Sequence, residues 1–226
     1  MRTVARPSPN HDDRGGAAID MLVLHYTGMT SGAAAVERLC DPAAKVSAHY
    51  TVDEDGTVYA HVPEERRAWH AGVSHWAGVD NINSRSIGIE IVNPGHEFGY
   101  RAFPEAQIAA LIELCGGILA RHAIPASRVL GHSDVAPSRK DDPGELFPWQ
   151  RLAEAGIGVW PQGVKSDLEA VALTRYGYDP NAPLDKVITA FQRHFRPKSL
   201  TGQWDGECAA LLADLLSRLS IAHPVV

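Results

Sequence analysis

The 226-residue sequence lacks a long apolar run, an excess of basic residues and a paired arrangement of cysteines. No stretch approaches the roughly 18 consecutive apolar residues of a transmembrane helix. The formal net charge of −6 gives no reason to expect nucleic-acid binding. Cys40, Cys115 and Cys208 lie far apart and outside any Cys-x-x-Cys pattern, so a disulfide framework is not expected. The apolar content of 45% is typical of a soluble globular protein.

The first 19 residues also lack the hydrophobic segment of a signal peptide, because charged residues, prolines and glycines are spread through them. If Met1 is the native start, the protein stays in the cytoplasm. Unpaired cysteines agree with a reducing compartment. We therefore expect a cytoplasmic protein without a membrane span, and we expect a monomer.

The order of apolar patterns predicts an α/β domain over residues 1–160. Strands are predicted at 21–27 and 86–92, a hairpin at 48–62 around Asp55-Gly56, and helices at 31–39 and 104–122. Cys115 falls on the apolar face of the second helix, where burial is expected. Strands interleaved with helices are typical of an α/β fold.

A glycine-rich and proline-containing linker at 156–163 precedes a second unit, residues 164–226. Its apolar spacing predicts three helices, enough for a small bundle. Its seven basic and seven acidic residues balance, so a ligand of this unit should be uncharged or of mixed charge.

The segment 131–149, GHSDVAPSRKDDPGELFPW, is a long polar loop, and such loops are often functional. It contains His132, Lys140 and Asp142, while His25 lies near the end of a predicted buried strand. Taken singly, His25 could be a core residue and Asp142 a turn residue. Together, two imidazoles and one carboxylate fit a catalytic zinc ion with one open position.

Glu90 lies within the apolar strand SIGIEIV, on the face opposite its three isoleucines. A carboxylate there faces either solvent or a site, because unpaired burial is costly. As a general base it would take a proton from the attacking water and deliver one to the leaving nitrogen. Lys140 could stabilise the developing oxyanion, or it could be an ordinary surface lysine.

Five segments resemble a known family in order and in sequence. They are VLHYT at 23–27, VSAHYTVDEDGTVY at 46–59, AWHAGVSHW at 68–76, NSRSIGIEIVN at 83–93 and GHSDVAPSRKDDPG at 131–144. Residues 18–155 thereby resemble the zinc-dependent N-acetylmuramoyl-L-alanine amidases of the AmpD/AmiD type. That family shares its fold with phage amidase lysozymes and peptidoglycan recognition proteins.

The resemblance implies a mixed β-sheet flanked by helices, with zinc bound by His25, His132 and Asp142. It also implies that Glu90 is the catalytic acid and base and that Lys140 stabilises the transition state. The implied reaction is hydrolysis of the amide between the lactyl group of N-acetylmuramic acid and the L-alanine of the stem peptide.

The matching motifs suggest that Trp69, His70 and His49 line the substrate cleft. Trp76 could stack on a sugar or belong to the core. Ala48 stands where many relatives of this fold carry a tyrosine, which argues against a tyrosine-assisted mechanism and favours the carboxylate–lysine pair.

The segments DKVITAFQRHFRP and GQWDGECAALLADLL resemble a small helical peptidoglycan-binding domain. The alternative is a helical appendage packed on the catalytic unit. A non-catalytic peptidoglycan-binding protein and a zinc peptidase cutting within the stem peptide are the competing functions. Within the amidase hypothesis, recycling of soluble anhydro-muropeptides is favoured over trimming of the sacculus in the envelope.

Overall fold

The computed structural model describes residues 1–222 and contains, within that range, a mixed six-stranded β-sheet. The strands are β1 (Thr3–Ala5), β2 (His11–Asp13), β3 (Met21–Tyr26), β4 (Tyr50–Val52), β5 (Val58–Ala60), β6 (Arg66–Ala68), β7 (Ser86–Ile91) and β8 (Val129–Gly131). The sheet has the order β1-β5-β4-β7-β3-β8, in which β4 and β5 are antiparallel and the other neighbours run parallel. Strands β2 and β6 form a separate antiparallel pair.

The helices lie on both sides of this sheet, which confirms the predicted α/β class. They are α1 (Gly32–Cys40), α2 (Ile82–Arg85), α3 (Gly95–Phe98), α4 (Glu105–Arg121), α5 (His132–Val135), α6 (Trp149–Glu154), α7 (Leu173–Tyr176), α8 (Leu184–Phe195) and α9 (Gly206–Ala222). Helix α1 begins after Ser31, whose hydroxyl accepts a hydrogen bond from the Ala34 N–H. In residues 1–222, none of the helices combines the length and the apolarity needed to cross a bilayer.

The predicted hairpin is confirmed as β4 and β5, joined by a tight turn. The Asp53 N–H donates to the Thr57 carbonyl, and Gly56 adopts a φ of +84°, which favours glycine. A Cβ atom at Gly56 would also lie 2.8 Å from the Ala106 carbonyl oxygen of α4. The turn therefore requires glycine for its backbone and for its packing.

One face of the sheet packs against α4. Because side chains alternate along a strand, Leu22 and Leu24 of β3 point to the same side as Ile89 of β7. They form one core cluster with Leu111 and Cys115 of α4. The expected burial of Cys115 is confirmed.

The opposite face of the sheet packs against the C-terminal helices. Met21 and Val23 of β3 and Leu130 of β8 share one apolar cluster with Phe191 of α8 and Leu212 of α9. The predicted C-terminal helices are therefore present and cover a sheet face. Positions 223–226 lie outside the described residues. A domain boundary near residues 160–164 stays a prediction, because the apolar core continues across it.

Candidate active site

Two parallel strands bring the predicted metal ligands to one edge of the sheet. His25 is near the end of β3, and His132 directly follows β8, whose Gly131 is in register with Leu24. The loop after His132 folds back, since the Ser133 N–H donates to the Asp142 carbonyl at 2.9 Å. The carboxyl ends of adjacent parallel strands are the usual place for ligand-binding groups in α/β proteins.

Three buried acceptor atoms converge at this edge. His25 Nδ1 lies 2.9 Å from His132 Nδ1, and Asp142 Oδ2 lies 3.1 Å from each of these nitrogens. A tetrahedral ion with ligand bonds near 2.0–2.2 Å would separate its ligand atoms by about 3.3–3.5 Å. The three residues could therefore hold a metal ion with little movement.

A chain of hydrogen bonds assigns the tautomer of His25. The Ser86 hydroxyl donates to the Ile82 carbonyl at 2.7 Å, so its oxygen accepts from His70 Nε2–H at 3.1 Å. His70 Nδ1 is then an acceptor, and His25 Nε2–H donates to it at 3.0 Å. The free lone pair of His25 is consequently on Nδ1, the atom that faces the other two ligand residues.

His132 is oriented in the same way by a backbone carbonyl. Its Nε2–H donates to the carbonyl of Ala71 at 3.0 Å, which leaves the lone pair on Nδ1. Nδ1 of His25, Nδ1 of His132 and Oδ2 of Asp142 thus face one another as three acceptors, and none of them carries a hydrogen that could bond to the other two. A cation satisfies such an arrangement, and partners of this kind behind the ligands are usual in metal sites.

The electrostatics favour the protonation states that metal binding requires. Burial, reinforced by the neighbouring His132, lowers the pKa of His25 to about 4. Burial alone would raise the pKa of Asp142, but His132 and His25 outweigh it and hold that pKa well below its usual range. At neutral pH His25 is therefore neutral and Asp142 is ionised.

Glu90 and this trio together line a cleft of about 410 Å³. Glu90 is in register with His25 across β3 and β7. Its Oε2 atom is buried and has no hydrogen-bond partner in the described part of the chain. Burial, and then the charge of Asp142, raise the pKa of Glu90 well above its usual value, while Lys140 opposes this shift. Lys140 also lines the cleft.

The three residues suggested as substrate contacts occupy different places. Trp69 and His70 line the cleft, but His70 also belongs to the hydrogen-bond chain behind His25. His49 is fully buried and is not among the residues lining that cleft. Its Nδ1 accepts from the Gly88 N–H at 3.0 Å, and its Nε2 lies 2.8 Å from Nη2 of Arg14 and 3.1 Å from the Arg66 carbonyl oxygen. A role of His49 as a substrate contact stays a prediction, since its imidazole is buried and does not line the cleft in this structure.

Gly88 explains how these histidines fit together. A Cβ atom at Gly88 would lie 2.3 Å from His70 Cγ, so the strand can approach the imidazole ring only with glycine at this position. His49 makes two hydrogen bonds to the Gly88 backbone. Its backbone N–H donates to the Gly88 carbonyl, and its ring Nδ1 accepts from the Gly88 N–H. His49 thus supports the strand on which the His70 ring lies.

Trp76 belongs to the core and does not contact the cleft. It is 1% exposed, and its ring packs edge-on against Tyr178 with centroids 4.9 Å apart.

Three residues near the site had not been singled out from the sequence: Ser86, Asp134 and Arg139. Strand alternation could have indicated Ser86, which shares a face with Glu90.

A family model described as N-acetylmuramoyl-L-alanine amidase matches residues 15–145, which is more than half of the chain. The chain belongs to the N-acetylmuramoyl-L-alanine amidase family. As a member of this family it is an amidase, and the expected mixed sheet with flanking helices is confirmed.

Individual amidases of known sequence or structure agree. Escherichia coli AmiD is 38% identical over 232 residues, covering 88% of this chain and 83% of AmiD. The structure of AmiD with the substrate anhydro-N-acetylmuramic acid-L-Ala-D-γ-Glu-L-Lys has a TM-score of 0.79 and covers 90% of this chain and 91% of that chain. Pseudomonas aeruginosa AMPDH3, in complex with anhydromuramic pentapeptide, has a TM-score of 0.80 at 35% identity, with coverage of 94% and 95%.

A shorter amidase matches less of this chain. The structure of an AmpD derivative is 32% identical with a TM-score of 0.60, and it covers 69% of this chain but 93% of its own length. The AmiD and AMPDH3 structures therefore align with most of this chain, whereas the AmpD structure aligns with about two thirds of it.

Proposed function

We propose that this amidase hydrolyses the amide bond between the lactyl group of N-acetylmuramic acid and L-alanine, using zinc held by His25, His132 and Asp142. The observation that carries the proposal is the convergence of three acceptor atoms beside Glu90, whose Oε2 has no hydrogen-bond partner among residues 1–222. Soluble anhydro-muropeptides are the proposed substrates, as in cell-wall recycling. The complexes of AmiD and AMPDH3 with anhydromuramic peptides support this substrate class.

The proposed roles follow from the position of each side chain in the cleft. Zinc would supply Lewis acidity at the scissile carbonyl and lower the pKa of a water molecule. Glu90 accepts a proton from the attacking water and passes it to the leaving nitrogen as the C–N bond breaks. The ammonium group of Lys140 stabilises negative charge on the carbonyl oxygen. The products are a lactyl carboxylate and a stem peptide with a free L-alanine amino group.

Mass spectrometry of the products tests the reaction. Purified protein is given an anhydro-muropeptide and, separately, intact sacculi, each with added zinc and with a chelator. We expect release of the intact stem peptide with zinc and no release with the chelator. The anhydro-muropeptide should be the faster substrate. Shorter peptides would indicate a peptidase, and zinc binding without any release would indicate a non-catalytic binding protein.

The remaining parts of the proposal have separate measurements. Residues 164–226 are proposed as a peptidoglycan-binding unit, which co-sedimentation of an inactive variant with sacculi would test. The expected monomeric state is tested by sedimentation at several protein concentrations. The expected cytoplasmic location is tested by cell fractionation.

A further inference from the structure

The C-terminal helices contact the ligand-bearing loop at Asp134, two residues after His132. Asp134 is fully buried, and its Oδ2 accepts from the Gly131 N–H and from His194 Nδ1–H, both at 2.7 Å. Its Oδ1 accepts from the Tyr178 hydroxyl, also at 2.7 Å. Buried carboxylates need such partners, and here two of the three donors come from the C-terminal unit.

The second contact is at the other end of the same loop. Arg193, only 8% exposed, places its Nη2 atom 2.9 Å from Oδ1 of Asp141. Its Nε lies 3.8 Å from Oε2 of Glu145. Asp141 separates Lys140 from Asp142 in the sequence. A largely buried guanidinium therefore pairs with the side chain of the residue between Lys140 and the proposed metal ligand Asp142.

Consecutive residues of α8 thus reach both ends of the loop 131–142. His194 is further fixed by stacking on Trp149, with ring centroids 3.8 Å apart and planes 20° from parallel. The helix itself is anchored in the apolar cluster that includes Val23 and Phe191. Its side chains are consequently placed by the same core that supports β3 and His25.

We propose that the C-terminal unit is a positioning element of the metal centre. Tyr178, Arg193 and His194 hold the loop 131–142 in the conformation that brings His132 and Asp142 to face His25. The inference rests on the proposed function, because it takes His25, His132 and Asp142 to be zinc ligands. It gives the unit a role inside the enzyme that does not depend on any contact with the cell wall.

Substitutions that remove few atoms test this role better than truncation. Deleting residues 164–226 would expose Met21, Val23 and Leu130 on the sheet, so loss of function would report on folding. Tyr178→Phe deletes one oxygen atom, and Arg193→Gln deletes the charge that pairs with Asp141.

Matched controls lie in the same region of the full-length chain. Arg196→Gln removes a buried guanidinium at the end of α8 that pairs with Asp205 and Glu207, away from the loop. Tyr176→Phe deletes a hydroxyl from a buried tyrosine two residues before Tyr178. Zinc affinity is measured by competition with a chelator, and ligand geometry by the visible absorption of the Co²⁺-loaded protein. Values of kcat and KM for an anhydro-muropeptide complete the comparison.

The variant with both Tyr178→Phe and Arg193→Gln should bind zinc about tenfold more weakly, as expected when support behind metal ligands is lost. Its Co²⁺ absorption should change, and kcat should fall while KM stays within about twofold. Arg193→Lys should restore part of the affinity, and both controls should match the parent.

Parent-like zinc affinity and Co²⁺ absorption in the double variant would overturn the inference. If that variant does not fold, Tyr178→Phe alone decides by the same two measurements. A parent protein that binds no zinc, or that binds it without releasing stem peptide, would instead overturn the proposed function.

Discussion

Substitution of His70 tests whether the hydrogen-bond chain from Ser86 to His25 determines metal affinity. His70→Asn keeps an acceptor oxygen near the position of Nδ1, to which His25 Nε2–H donates at 3.0 Å. His70→Gln instead extends to the position of Nε2 and keeps only the contact with the Ser86 hydroxyl. His70→Leu removes both contacts. The three variants therefore separate the two ends of the imidazole.

The expected size of the effect follows from the burial of the His25 N–H. A buried donor left without an acceptor costs about 1–3 kcal/mol. Loss of a hydrogen-bond partner behind a metal ligand lowers metal affinity about 10–100-fold, which corresponds to about 1.4–2.7 kcal/mol. We expect His70→Leu and His70→Gln to fall in this range and His70→Asn to stay within about threefold of the parent.

Zinc affinity is measured by competition with a chromophoric chelator at neutral pH, and urea unfolding of the metal-free proteins gives their stability separately. Equal zinc affinities for His70→Asn and His70→Gln would refute the assignment of the His25 tautomer. Parent-like affinity in His70→Leu would refute the whole hydrogen-bond chain.

Three further predictions concern single residues. Glu90→Gln should retain zinc, measured as metal per protein, and lose about 10²–10⁴-fold in kcat, because the proton acceptor is removed; near-normal turnover would exclude Glu90 as the base. Gly88→Ala should displace the His70 ring, since the new Cβ would lie 2.3 Å from its Cγ; we expect about 1–3 kcal/mol of destabilisation by urea unfolding together with weaker zinc binding, and parent-like values of both would contradict the packing. Burial raises the pKa of Glu64, but hydrogen bonds from Arg121 and other neighbours lower it to about 2. Its folded-state pKa is thus depressed, and the stability it contributes is present above pH 4.5 and lost as the pH falls towards 2. Glu64→Gln should cost about 1–3 kcal/mol at pH 7, and the difference from the parent should shrink between pH 4.5 and 2; a difference independent of pH would show that the charge is not responsible.

Much of the fold could be predicted because it is encoded in local patterns. The alternation in SIGIEIV assigned Ile89 to a buried face and Glu90 to the other, and the structure has this arrangement. The apolar spacing of residues 104–122 predicted α4 to within a residue at each end. The Asp55-Gly56 turn predicted the hairpin because few residues other than glycine adopt a positive φ.

The candidate ligands could also be found from the sequence, since His25 and the loop 131–149 each have a local signature. Strand ends and a polar loop indicate where a site forms, and the family resemblance supplied the pairing between segments more than 100 residues apart. The roles of the neighbouring histidines could not be read in this way. His49 and His70 both lie in family motifs, yet His49 is buried beside β7 and His70 supports His25.

The sequence by itself thus determined the central strands, the longer helices and the residue types that could bind a metal, because these depend on periodicity and on side-chain chemistry. Only the tertiary structure decided that the C-terminal helices cover a sheet face and reach Asp134 and Asp141. Tyr178 and His194 are 44 and 60 residues from Asp134 in the chain. No local pattern links positions so far apart, since their contacts arise only when the sheet and helices pack into one core.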